Sequence, residues 1–305
     1  MTRRRLARSV LRWSSLILAA CGTARAADGP PPGEFRSTVE RLIRESGAEA
    51  IGVAYRDLGT GEEMTVRPDD VFHAASTMKV AVMAEVYRQA DGGSLSLDER
   101  LEIKTTFKSI ADGSPYELDP KDDSELGLYK RTGQRETVRE LMRLMIVSSS
   151  NVATNLLVER VTAAKADGFM KALGASGLRV LRGVEDTPAY RRGMNNTTTA
   201  RALMRVLSLI ADHAVVSAGA SDAMLAILLE SDFKEGIPAG VPKGTRVAHK
   251  TGSFRGVYHD AAIVMPEGRR PYVLVVLTRG LLDEAKAHKL VADIARAAQA
   301  HATGK

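Results

Sequence analysis

The sequence predicts an α/β (α+β) fold, an antiparallel sheet flanked by helices with an all-helical lobe beside it. Two observations lead there. Segments that read as short strands stand near both ends of the chain, at 51–66 and 258–280, and the stretches between them carry apolar residues at i, i+3, i+4 spacing. Strands from the two ends pack most simply as one sheet covered by helices, leaving the middle of the chain to form a helical layer of its own. The expected division is 34–75 with 216–303 for the sheet-bearing lobe and 76–215 for the helical lobe. A chain of 305 residues can bury one large core or two moderate ones.

Residues 1–26 read as an export signal: MTRRRLAR is a basic start, WSSLILAA a short apolar core, and Ala24-Arg25-Ala26 an A-x-A cleavage pattern. The apolar run is too short to span a bilayer. Leu18-Ala19-Ala20-Cys21 equally fits a bacterial lipobox that would lipidate Cys21, the only cysteine, and the adjacent arginines fit a twin-arginine route. All these readings place the mature protein outside the cytoplasm, periplasmic or secreted, free or lipid-anchored. The same residues explain the net charge of +6. Six arginines and no acid lie in the first 26 residues, and without them 37 basic residues face 37 acidic ones. A nucleic-acid partner is therefore not expected, because its footprint needs basic charge on the working domain.

After the polar linker at 27–33, EFRSTVERLIRES (34–46) has helical spacing, and IGVAYRDLGTGEEMTV reads as two strands joined at Gly59-Thr60-Gly61. Helices are expected at 137–147, 151–161, 199–210 and 221–230. YHDAAIVMP and PYVLVVLTRG flank a turn containing Gly268 and predict a hairpin, and DEAKAHKLVADIARAAQA a closing helix. Residues 104–136 break the pattern. Their Gly, Pro, Asp and Ser content predicts a long loop or loose insertion, read first as a solvated excursion and second as a lid over a site.

Three short motifs carry candidate chemistry. In HAASTMKVAVMAEV, Ser76 in a helix's first turn would share a face with Lys79, near free backbone N–H groups able to hold an oxyanion. A serine hydroxyl needs a base, and a lysine whose pKa is lowered can serve. The same spacing at Ser231-Asp232-Phe233-Lys234 shows that this motif alone says little. Ser149-Ser150-Asn151 stands between two helical segments. Ser149 could pass a proton and Asn151 hold a substrate amide, or the trio could simply cap the next helix. Lys250-Thr251-Gly252 follows the strand-like RVAH. A lysine and hydroxyl on an edge strand, beside a glycine that admits another backbone, suit a carboxylate, although a plain strand-end turn would look the same.

Together, in the order SxxK, SxN, KTG, the motifs resemble those of the penicillin-recognising serine enzymes, most closely the class A β-lactamase-like group. The resemblance extends from about residue 34 to the C-terminus and includes IPAGVPKGTRVAHKTGS and Asn155 in SSNVATNLL. It implies a β-lactamase/transpeptidase-like fold with a site where the two lobes meet. It further implies acylation of Ser76, proton shuttling by Lys79 and Ser149, an amide held by Asn151, a carboxylate held by Lys250 and Thr251, and an oxyanion donor in the Ser253 backbone. The substrate implied is a β-lactam or a D-Ala-D-Ala-like peptide, taken by a monomer without cofactor.

Clearing the acyl-enzyme needs a base to activate water, which the family carries on a loop before a Thr-rich helix start. Here that stretch is LRGVEDTPAYRRGMNNTTTARAL, with Glu185 the first candidate and Asp186 the second. The pattern departs from the family's. Glu185 stands three residues after Arg182 rather than two, the position four beyond it is Ala189 rather than asparagine, and Ser150 replaces a common aspartate. An exposed loop carboxylate is therefore an equal expectation for Glu185. No metal is expected, since the histidines at 73, 213, 249, 259, 288 and 301 show no ligand spacing.

Overall fold

The computed structural model describes residues 32–304. The expected signal segment, Cys21 and most of the linker lie outside the described residues.

The chain opens with α1 (Pro32–Glu45), then β1 (Ala50–Asp57), β2 (Glu63–Val66) and β3 (Phe72–His73). A 3₁₀ turn over Ala75–Met78 runs into α2 (Lys79–Asp91). Short strands follow, β4 (Arg100–Glu102), β5 (Thr106–Lys108), β6 (Pro115–Glu117) and β7 (Arg135–Thr137), before α3 (Val138–Val147), α4 (Asn151–Val161) and α5 (Ala163–Ala172). Next come α6 (Thr187–Arg191), β8 (Thr197–Thr198), α7 (Ala200–Ala211), α8 (Ala218–Leu229) and α9 (Ile237–Gly240). The strands β9 (Arg246–Phe254), β10 (Val257–Met265) and β11 (Tyr272–Arg279) precede α10 (Glu284–Thr303).

Strands from the two chain ends form one antiparallel sheet in the order β2-β1-β11-β10-β9. Its faces follow the two-residue period of a strand. Ile51, Val53 and Tyr55, with Leu274 and Val276, face a core shared with α1 and α10. Ala50 and Ala54, with Val273, Val275 and Leu277, face the opposite core, where α7 lies across the sheet. That second core continues through α2, α3 and α4, so the helices around the site rest on the same packed interior as the sheet. Several helices start on side-chain caps, among them Thr137 for α3, Ser150 for α4, Thr199 for α7, Ser217 for α8 and Asp283 for α10. Between β9 and β10, Arg255 and Gly256 have φ of 44° and 76°, the paired positive angles that match a two-residue turn to strand twist.

Two expectations need correction. Ser76 is not in the first turn of an α-helix but in the 3₁₀ turn ahead of α2. Residues 104–136 are a largely exposed excursion, as expected, but not a loose one. They form the β5–β6 hairpin and run into β7, which pairs with β4, and they bond to the 182–199 loop. Asp186, buried, accepts from Ser109 Oγ at 2.6 Å and Ile110 N at 3.0 Å, and Arg192 donates to Ala111 O at 2.7 Å.

Candidate active site

Ser76 lies where the 3₁₀ turn meets β9. A Cβ on Gly252 would come within 3.1 Å of Ser76 N and 3.2 Å of Ala75 Cβ, so the glycine is what admits this approach. The residue before Ser76, Ala75, has φ of 45°, a left-handed conformation costly for a residue with a Cβ. Ala75 N donates to His73 Nδ1 at 3.1 Å, and His73 O accepts from buried His259 Nε2 at 2.9 Å. Thr278 N in turn donates to His259 Nδ1 at 3.1 Å, which ties the strained turn to the middle of the sheet. Burial holds the His259 imidazole at about 4; burial, then the Arg182 charge, holds His73 there too.

Lys79 is fully buried behind Ser76. Its Nζ donates to Ser149 O at 2.7 Å, Ser149 Oγ at 3.2 Å and Asn151 Oδ1 at 3.0 Å. The direct Lys79–Ser76 contact expected from helical spacing is not formed. All three donors go to the SxN motif, and the Ser76 hydroxyl has no hydrogen-bond partner among the described residues. Burial lowers the Lys79 pKa to about 7, against the opposing pull of Asp123 and Glu185. Lys250, equally buried, donates to the same Ser149 Oγ at 3.0 Å and to Thr251 O at 3.0 Å. Burial, then the Lys79 charge, holds it well below the usual lysine range. Ser149 has φ of 58°, and this turn presents its carbonyl and hydroxyl together to Lys79.

The network continues into the 182–199 loop. Asn151 Nδ2 donates to Glu185 Oε1 at 2.7 Å and to Asp122 O at 2.9 Å, while Asp119 N donates to Glu185 Oε2 at 2.9 Å. Glu185 is thus a partly buried member of the site, and burial raises its pKa despite those bonds. Its own φ of 60° turns the chain back toward Asn151, so the extra residue after Arg182 does not carry the carboxylate away. Asn155 fixes the residue before it, accepting from Val184 N at 2.7 Å and donating to Val184 O at 3.1 Å. Gly183 makes room: a Cβ there would stand 2.3 Å from Asn155 Oδ1. Arg182 locks the far side through Met194 O and Asn195 Oδ1, both at 2.9 Å. Asp186 is engaged elsewhere. It caps α6, and its oxygens are taken by Ser109, Ile110 and Ala189 N.

Ser253 sits on the open edge of the sheet. Tyr258, its partner across the ladder, bonds through both N and O to Thr278 Oγ1 on the other side, at 3.0 and 2.7 Å. Ser253 and Tyr258 are therefore a non-hydrogen-bonded pair in the β9–β10 ladder, and Ser253 N points outward from the edge. Ser76 and Ser253 both line a cavity of about 800 Å³. Glu117, Asp119 and Asp122 border it on one side. On another, His73 stacks on Phe254 with centroids 4.9 Å apart, and Tyr190 meets Phe254 edge-on at 5.5 Å. Sequence patterning gave no sign of this aromatic wall, which joins three distant segments.

The other histidines have structural places. His249, buried, pairs with Asp260 at 2.9 Å, and His213 and His301 lie on Asp222 and Glu62. The second SxxK holds no site: Lys234 Nζ donates to the Ser231 carbonyl. Among the described residues no cluster of metal-ligating side chains occurs, and no helix is long and apolar enough to cross a membrane.

Residues 34–302 match the family described as the β-lactamase enzyme family. A β-lactamase of Streptomyces albus G is 30% identical over 287 residues, covering 90% of this chain and 88% of that one. β-Lactamase Toho-2 of Escherichia coli is 29% identical over 243 residues, 76% of this chain and 77% of its own. Among solved structures, a β-lactamase from Sphaerobacter thermophilus superimposes with a TM-score of 0.76 at 26% identity, covering 87% of this chain and 96% of its own. PBP-A superimposes equally well, TM-score 0.76 at 24% identity, over 89% and 97% of the two chains.

Proposed function

The chain belongs to the β-lactamase enzyme family, and on that footing we propose that it is an exported, monomeric serine hydrolase that opens the β-lactam amide through an acyl-Ser76 intermediate. One observation carries the reading: an unbroken hydrogen-bonded chain, Glu185–Asn151–Lys79–Ser149–Lys250, runs behind the free hydroxyl of Ser76.

In this mechanism Lys79, neutral in a large fraction near pH 7, releases one of its three bonds to the SxN motif and turns the freed lone pair to Ser76, taking its proton as Oγ attacks the carbonyl carbon. The N–H groups of Ser76 and Ser253 hold the oxyanion. The carbon–nitrogen bond breaks as Ser149 Oγ delivers its proton to the leaving nitrogen, and the lysines that share that hydroxyl restore it. Lys250 and Thr251 hold the substrate carboxylate, and Asn151 exchanges a partner to hold the side-chain amide. Glu185 then takes a proton from water as the water attacks the ester, and Ser76 leaves with a proton. Its raised pKa makes it a stronger base than a surface carboxylate. Export through the 1–26 segment, with or without a lipid on Cys21, would place this activity where β-lactams arrive.

Ala189 favours a second reading. Four residues beyond Glu185 the loop offers only a methyl group, whose backbone N–H is already given to Asp186, so fewer groups hold a water. A D,D-peptidase, esterase or penicillin sensor with a long-lived acyl-enzyme would tolerate this. Labelling by a fluorescent penicillin tests what the readings share. Ser76→Ala abolishes the label, and undiminished labelling refutes the nucleophile.

A further inference from the structure

Asp123 is a buried carboxylate on the 104–136 segment, with no role in the chemistry described above. Its Oδ2 accepts from the first two backbone donors of α4, Asn151 N at 2.8 Å and Val152 N at 3.2 Å, and its Oδ1 from Glu125 N at 3.0 Å. The next donor, Ala153 N, goes to Ser150 Oγ at 3.2 Å. The cap of this helix is thus shared between a local serine and an acid from a distant segment, and the acid holds the backbone of Asn151 itself. The neighbouring Asp122 O holds the carboxamide of that same residue.

We propose that Asp123 is a positioning residue for acylation: through the backbone of Asn151 it fixes the carboxamide that receives Lys79, and it places its carboxylate near the Lys79 ammonium. The inference rests on the acyl-Ser76 reading and gives the 104–136 segment a part in it. Asp123 and Glu185 are the acids that oppose the burial of Lys79. Other charged or titratable groups near the pair are Lys250 across Ser149, and Asp119, Asp122, Glu125 and Tyr129 on the segment itself. Asparagine at 123 keeps an acceptor for the α4 donors and removes the charge. Glutamate keeps the charge.

Two readouts against pH test this in wild type, Asp123→Asn and Asp123→Glu: the acylation rate with a chromogenic cephalosporin, and the ¹³C titration of the Lys79 ε-carbon, assigned by its loss in Lys79→Arg. Removing a nearby negative charge favours the neutral amine. The expected result in Asp123→Asn is a downward move of both midpoints by about half a pH unit, recovered in Asp123→Glu. A lower melting temperature with unmoved midpoints overturns the proposal and leaves a plain helix cap. So does an Asp123→Asn that fails to fold beside a folded Asp123→Glu. Absence of acylation in wild type sinks the acyl-enzyme reading instead, and the lysine titration still decides the role of Asp123.

Discussion

Lys79 and Lys250 meet on one hydroxyl: their Nζ atoms stand 3.2 and 3.0 Å from Ser149 Oγ, and both side chains are buried. Two ammonium groups this close in a dry interior disfavour double protonation, and burial presses both downward. For Lys79, the group behind Ser76, this is what makes an amine usable as a base at neutral pH. The acylation rate is expected to rise with pH through a midpoint near the Lys79 pKa of about 7, because the neutral amine is the active form. Stopped-flow acylation across pH 5–9 checks this. A rate already flat from pH 5 would assign the proton to another group.

Glu185→Gln is expected to leave acylation within severalfold of wild type and to slow deacylation by about 10²-fold or more, the usual loss when a general base is removed. The Asn151 hydrogen bond can survive the change, since the amide oxygen still accepts. Pre-steady-state kinetics with intact-mass detection separates the steps. Equal turnover in the variant would place the base elsewhere.

Gly252→Ala places a methyl group against Ser76 N and Ala75 Cβ, at 3.1 and 3.2 Å. Both belong to a turn already held at positive φ, so the turn has little room to give. Overpacking of this kind costs about 1–3 kcal/mol. The expected outcome is a lower melting temperature and acylation slowed by about tenfold or more. Unchanged acylation would show that β9 can retreat from Ser76 without loss.

His259 predicts a component of acid lability. Its folded pKa of about 4 lies below the ordinary value of 6.5, so the unfolded chain binds the proton first as pH falls. The stabilisation is complete above about 6.5, is lost progressively down to about 4 and falls no further below that, amounting to about 3 kcal/mol. His259→Gln can still donate to His73 O and accept from Thr278 N. Its melting temperature is expected to depend less steeply on pH over that interval, as calorimetry would show. An unchanged slope would mean that other groups carry the acid transition.

What was legible in the sequence is what local rules encode. Short apolar, β-branched runs bounded by turn residues marked β1, β10 and β11, helical spacing marked α3, α4 and α7, and the order of the three motifs pointed to Ser76, Lys79, Ser149, Asn151 and Lys250. α5 was not legible: Gly168 lowers its helical propensity, and its apolar stripe is thin, with Ala166 and Met170 buried and Ala163 and Phe169 only partly so. The position of Glu185 was not legible either, because it depends on a left-handed turn at that residue and on bonds to Asn151 and Asp119, far apart in the chain. The 104–136 segment has loop composition for the same reason. Its order comes from the partners it finds, Asp186 at one end and the start of α4 at the other.

The most direct test of the central claim mixes residues 27–305 with a chromogenic cephalosporin and follows absorbance and intact protein mass together. Many turnovers per protein molecule, with only a small steady adduct that maps to Ser76, is the expected result. A single stoichiometric burst with a lasting adduct would contradict hydrolysis assisted by Glu185. Neither absorbance change nor adduct would contradict the acyl-serine mechanism itself.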